Sequence, residues 1–160
     1  MSLGPLSSFD LEMSGIRRYK NDMEKKYLKK ILIFEILIVA AVPFIFKMIE
    51  PKKVAALFAG SLFVTLGVCV IYGSLKYSTL RKTFYTAVGG IHLFVVSIPM
   101  LAARIFFFDT DFNQIQILGM GAPDFHKYSE WVYMALLFAT MYELGRRIGP
   151  WAKKETKKAT

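Results

Sequence analysis

The sequence predicts an all-α integral membrane protein, a four-transmembrane-helix up-down-up-down bundle preceded by an N-terminal basic amphipathic helix. Three observations predict it. Of the 160 residues 54% are hydrophobic, and the mean hydropathy is +0.39, more apolar than a soluble domain that must show water a polar surface. The apolar residues collect in runs of bilayer-crossing length. The Lys and Arg behind the net charge of +9 flank these runs and gather toward the two ends of the chain. A nucleic-acid-binding domain of equal basicity would spread its cations over a polar face among exposed aromatics, so no nucleic-acid partner is expected.

Residues 1–30 form a polar arm without the apolar core of a cleavable signal, which leaves insertion to the first span. Within it Ile16, Tyr19, Met23 and Tyr27 recur at helical spacing against Arg17, Arg18, Lys20, Lys25 and Lys26. That pattern predicts a juxtamembrane helix lying on a membrane surface and running into the first span.

The transmembrane domain is expected over 31–149. Its first span, Ile31 to Ile49, carries Glu35, Pro43 and Lys47; at 1.5 Å per residue it measures ~28 Å, and Lys47 can snorkel. The second, Val54 to Leu75, has no charge and follows Pro51, where a missing N–H costs little. The third is Phe84 to Phe108, apolar apart from His92 and Arg104. The fourth, placed at 128–146, offers only a short clean run, Trp131 to Tyr142, before Glu143.

Charge placement argues for the fourth span. With four spans, sixteen of the 21 Lys and Arg fall on one side: seven in the arm, three between Lys76 and Thr83, and six after the last span. Cytoplasmic flanks are enriched in Lys and Arg, so both termini, including the basic tail 150–160, are expected in the cytoplasm, against anionic head groups of a cell membrane. Tyr128, Trp131, Tyr133 and Trp151 fall where interfacial aromatics belong. The first two connections are short and imply antiparallel neighbours. The third, Asp109 to Glu130, is long at 22 residues.

Four sets of residues are candidates for function. Ala56, Gly60, Gly67 and Ser74 make a small-residue stripe that permits close helix approach, within the bundle or with a second copy or partner subunit. Glu35, Tyr72, His92 and Glu143 converge in depth in the cytoplasmic half. There they form either a proton- or cation-handling polar layer, or local pairs in which Glu35 and Glu143 meet Lys30, Lys76, Arg146 or Arg147. Arg104, near the outer end of its span, is expected to anchor on Asp109, Asp111 or Glu130. Finally, Asp124, His126 and Glu130 are weak metal candidates, His126 and Glu130 sharing a helix face, while Asp124 alternatively caps the fourth helix.

Other chemistry is excluded or unsupported. "DTDFN" begins like a calcium loop, but Gln114 stands where Gly is needed and Met120 where the bidentate Glu belongs. Cys69 is the one cysteine, which rules out an internal disulfide or paired-cysteine zinc site. No phosphate loop, paired-histidine metal motif or Ser-His-Asp set is present, and no cofactor is expected. The reading is a non-enzymatic accessory or interaction subunit of a membrane complex. Its alternatives are an oligomeric proton- or ion-coupled transporter or channel protomer, and a lipid-acting enzyme using His92 and Glu35.

Overall fold

The computed structural model describes residues 8–81 and 83–148, with side chains described throughout that range except at 8–15, 17, 18 and 78. The tail 150–160, with Trp151, lies outside the described residues. Among the described residues the structure is mostly helical, 87%.

Helix α1 runs from Ser8 to Met48, 41 residues with Pro43 inside it. The expected surface helix and first span are thus one unbroken element. Its arm is rich in good helix formers, and nothing near residue 30 stops it. Helix α2, Lys52–Lys76, starts behind Pro51, and a single helical turn, Ser78–Arg81, leads out of it. Helix α3 covers Phe84–Phe106, two residues short of the expected end. Its middle, Ile91–Ser97, is widened into a π-helix.

The long third connection is more structured than expected. A 3₁₀ turn, Phe112–Gln114, precedes strands β1, Gln116–Ile117, and β2, Met120–Gly121, paired antiparallel with Ile117 opposite Met120. Leu118 and Gly119 both have positive φ, 52° and 81°, as a two-residue hairpin turn with the matching twist requires. Helix α4 then runs from Ala122 to Ile148, 27 residues, so it takes 122–130 from the expected loop. The reason is local. Pro123 is tolerated in a first helical turn, and Asp124 beside it complements the helix dipole, a position inside the helix rather than the expected cap.

Among the described residues three helices are long and apolar enough to cross a membrane: Tyr19–Met48, Lys52–Lys76 and Phe84–Phe106. The fourth, α4, is long enough at ~40 Å but carries more charge. Helix α1 packs on α2 and α4, and α3 packs on the same two. The main core between them includes Leu28, Ile31, Ile38, Leu66, Val70 and Leu136. A second small core, with Met100, Ala103, Ile115, Ile117, Ala122 and Phe125, fastens the hairpin onto the adjoining ends of α3 and α4.

Small residues set the α2–α3 seam. A Cβ on Gly60 would lie 3.1 Å from Leu101, one on Gly67 would lie 2.9 Å from the Leu93 Cβ, and Ser74 accepts a 2.8 Å hydrogen bond from Thr86. With Ala56 buried as well, the stripe is taken up within the chain. Gly67→Ala, which pushes against the Leu93 backbone as well as its side chain, is expected to cost about 1–3 kcal/mol. Gly145→Ala, which meets nothing within 4 Å, should gain about 0.5–1 kcal/mol from helix propensity. Equilibrium unfolding of both variants in mild detergent checks the pair.

Candidate functional site

Several polar side chains join the apolar ones in the inner seams, while many large apolar side chains face outward. On α1 the buried positions are Glu24, Leu28, Ile31, Glu35 and Ile38, a run of three- and four-residue steps; Ile33, Ile36, Leu37 and Val39 between them are exposed. On α4 Leu136, Thr140, Glu143 and Arg147 are buried, whereas Trp131, Met134, Phe138, Met141 and Tyr142 point away from the protein. A water-soluble helix would place polar residues on such an outward face.

Each inward polar group needs a partner in that setting. Glu35 is fully buried, and its Oε1 accepts a 2.8 Å hydrogen bond from the Thr140 hydroxyl; the Tyr133 hydroxyl donates to the Glu35 backbone carbonyl at 2.5 Å. The Tyr133 ring lies 6.0 Å from His92 and 5.3 Å, edge to face, from Phe63. His92 is buried, with Nε2 3.2 Å from the Ser97 hydroxyl. Those two residues are five apart, and the π-helix i→i+5 repeat brings them together on one face. Pro99, which has no N–H to return to the helix, sits just beyond the wide turn.

Three buried polar atoms of this region have no hydrogen-bond partner among the described residues: Glu35 Oε2, His92 Nδ1 and the Tyr85 hydroxyl. The Phe63 backbone interacts electrostatically with His92 without meeting hydrogen-bond geometry. Tyr85 is within electrostatic reach of Glu35, Glu143 and Tyr27. A second cluster lies nearer the chain ends, and Tyr85 reaches both groups electrostatically through Glu35 and Glu143.

That second cluster is centred on Arg147. The guanidinium forms a short ion pair with Glu143, lies 3.4 Å from Glu24 Oε2, and donates to the Glu143 carbonyl at 3.1 Å and to Thr79 at 3.4 Å. All three charged side chains are buried, so one cation joins α1, α4 and the turn after α2. Close by, the Tyr27 hydroxyl donates to the Cys69 carbonyl and ties α1 to α2.

Toward the hairpin, the four helices diverge around a cavity of about 460 Å³. Its apolar wall includes Val39, Val42, Ala56, Val96, Met100 and Met134; His92, Ser97 and Tyr133 line its inner part, and Arg104, His126 and Glu130 its rim. A second cavity of about 430 Å³ lies under the loop after α3, beside Lys53, Arg104, Asp109 and Asp111. Only the first reaches the buried file, which makes it the stronger candidate site.

The expected polar layer divides accordingly. Glu35 and His92 fall in the central group, Glu143 in the Arg147 cluster, and Tyr72 is 57% exposed on the outer face of α2, near the Lys76 ammonium. Tyr133, placed with the interfacial aromatics by sequence, is buried; Trp131 and Tyr128 are exposed. Arg104 makes no ion pair with Asp109, Asp111 or Glu130 among the described residues and stacks 4.5 Å from the Phe112 ring. Asp124 pairs with Lys127 and His126 with Glu130. Among the described residues no three metal-ligating side chains gather.

The sequence alone does not single out Glu24, Ser97 or Thr140, puts Tyr133 at the interface, and offers Arg147 as one of several partners for Glu35 or Glu143, of which the Glu143 pair forms. Their signal was the spacing 133, 136, 140, 143, 147 on α4, which marks one polar-and-apolar face. Compared with the models of known protein families, with curated proteins and with solved structures, the chain matches none. The arrangement must be read from its own chemistry.

Removing Arg147 strands two buried carboxylates. Arg147→Met is expected to destabilise the protein by about 3–5 kcal/mol, and adding Glu24→Gln and Glu143→Gln should recover a large part of it. Detergent unfolding of the single and triple variants tests this; equal losses in both would refute the charge argument.

Proposed function

We propose that the protein is a four-helix, up-down-up-down membrane bundle with both termini cytoplasmic, acting as the protomer of a proton-coupled transporter. The cavity holds the transported molecule, and the file from His92 through Tyr133 to Glu35 and Tyr85 handles the coupling proton. The observation that carries this reading is the continuity between a cavity at one end and buried ionisable groups leading toward the Arg147 cluster at the other. Titratable residues within a bilayer are costly and tend to mark ion or proton paths.

Several features support the topology. Residue contacts pair Glu24 with Arg147 and Glu35 with Thr140, and Gly60 with Leu101 and Gly67 with Leu93, in opposite numerical order along each seam. The apolar outer face of α4 at Trp131, Met134, Phe138, Met141 and Tyr142, with Glu143 and Arg147 turned inward, suits a helix whose surroundings are lipid. The Lys and Arg balance favours cytoplasmic ends, with the basic arm near anionic head groups. An accessory-subunit role drew on small size, sparse intramembrane chemistry, the small-residue stripe and the long outer loop; of the stripe, Gly67 and Ser74 lie against α3. A lipid-acting enzyme would have Ser97 within 3.2 Å of His92 Nε2, but His92 Nδ1 has no orienting partner among the described residues.

Proteoliposomes carrying a pH gradient and an internal pH dye test the proposal. Wild-type protein is expected to dissipate the gradient in the presence of a transported amphiphile, and Glu35→Gln to slow this at least about tenfold. Absence of any proton movement, with and without the gradient, would overturn it.

A further inference from the structure

The two cavities near the hairpin share Arg104, and among the described residues it alone lines both. We infer that together they form the site of a single-chain zwitterionic phospholipid: acyl chain in the 460 Å³ cavity, phosphate at Arg104, and ammonium in the 430 Å³ cavity. This names the substrate class of the transport reading and rests on that reading only for the word substrate, since binding is measured on its own.

The chemistry of the lining carries the inference. The larger cavity is walled by Val39, Val42, Val96, Met100 and Met134, and its volume, toward the low end of the usual pocket range, suits one chain. Ala56 and Gly60 leave it open by having little side chain. At its rim Arg104 is partly buried, pairs with no carboxylate among the described residues, and stacks on the Phe112 ring. An unpaired guanidinium there has its donors available for a bidentate phosphate.

The smaller cavity holds both signs of charge. Lys53, over the Phe108 ring at 5.6 Å, adds a second cation beside Arg104, while Asp109 and Asp111 supply carboxylates. Asp111 receives the Asn113 backbone N–H at 3.1 Å and its amide at 3.4 Å, and keeps further acceptor capacity. Phe107, Phe108 and Phe112 present rings on which an alkylammonium can rest. A purely anionic amphiphile would meet these aspartates and Glu130 unfavourably, and a fatty acid would leave the ammonium subsite without a partner. Glu130 itself is engaged with His126 at 3.8 Å.

The test uses the full chain in mild detergent, with native mass spectrometry and a competition assay against a fluorescent lysophospholipid. Lysophosphatidylethanolamine is expected to bind at least tenfold tighter than lysophosphatidylglycerol or palmitate. Arg104→Gln should weaken it about tenfold, Arg104→Lys should recover only part of that loss because a lysine keeps the charge but not the planar fork, and Met134→Trp, which intrudes on the chain cavity from its edge, should lower it about tenfold. Lys53→Gln supplies an independent variant if Arg104→Gln does not fold. Glycerophosphoethanolamine, the head group alone, should not compete at millimolar concentration; if it competes as well as the lipid, the ligand is a soluble phosphate and the inference fails. Equal binding of the three amphiphiles, or full binding by both Arg104→Gln and Lys53→Gln, would also overturn it. Tight binding without proton movement in liposomes leaves the inference standing and removes the transport reading.

Discussion

The junction of α1 and α4 at Glu35 is the interaction on which the rest of the structure depends. A fully buried carboxyl group on a helix of otherwise apolar neighbours needs a hydrogen-bond donor on the facing helix, and Thr140 provides it while Tyr133 binds the adjacent backbone. Removing Thr140 would leave a second oxygen unmatched beside Oε2, which already lacks a partner. Those two contacts fix the rotation of α1 against α4. The same rotation turns Glu24 toward Arg147 three helical turns away, and leaves Ile33, Ile36 and Leu37 facing outward.

From that rotation the cavity follows. Tyr133, held to α1, lies against both Phe63 and His92, so it ties the inner ends of three helices together and sets the floor. Beyond it the walls are Ala56, Ala59 and Gly60 on α2 and the wide turn on α3. The small side chains leave volume, and the π-helix aligns His92 with Ser97 along its margin. The hairpin core around Phe125 and Ile117 then joins the far ends of α3 and α4, which limits how far the mouth can spread.

Much of this was legible in the residues. Long apolar runs located α1, α2 and α3 because hydropathy sums along a helix regardless of which side faces a neighbour. Glu35 and His92 stood out because each interrupts such a run. Hydropathy was less informative for α4, where charge lowers the average although Thr140, Glu143 and Arg147 share the inward face. Depth alone grouped Tyr72 with Glu35, but depth carries no rotation, and Tyr72 lies on the opposite side of α2 from the buried Gly67 and Ser74. Arg104 was assigned to nearby aspartates because opposite charges were adjacent in sequence, whereas the 3₁₀ turn brings Phe112 under the guanidinium instead. The π-helix had a signal in Gly89, Gly90 and Pro99 bracketing it; a strict 3.6-residue period cannot express an added residue per turn.

The central claim is that α4 crosses the membrane with Glu143 and Arg147 turned inward. Single cysteines in a Cys69→Ser background, one at Tyr19 and one at Ile148, labelled in intact cells with a membrane-impermeant thiol reagent before and after permeabilisation, test it most directly. The account predicts that both sites are protected in intact cells and react only after permeabilisation. Labelling of the Ile148 site alone in intact cells would place the ends of α1 and α4 on opposite sides, leave three crossings, and contradict the account.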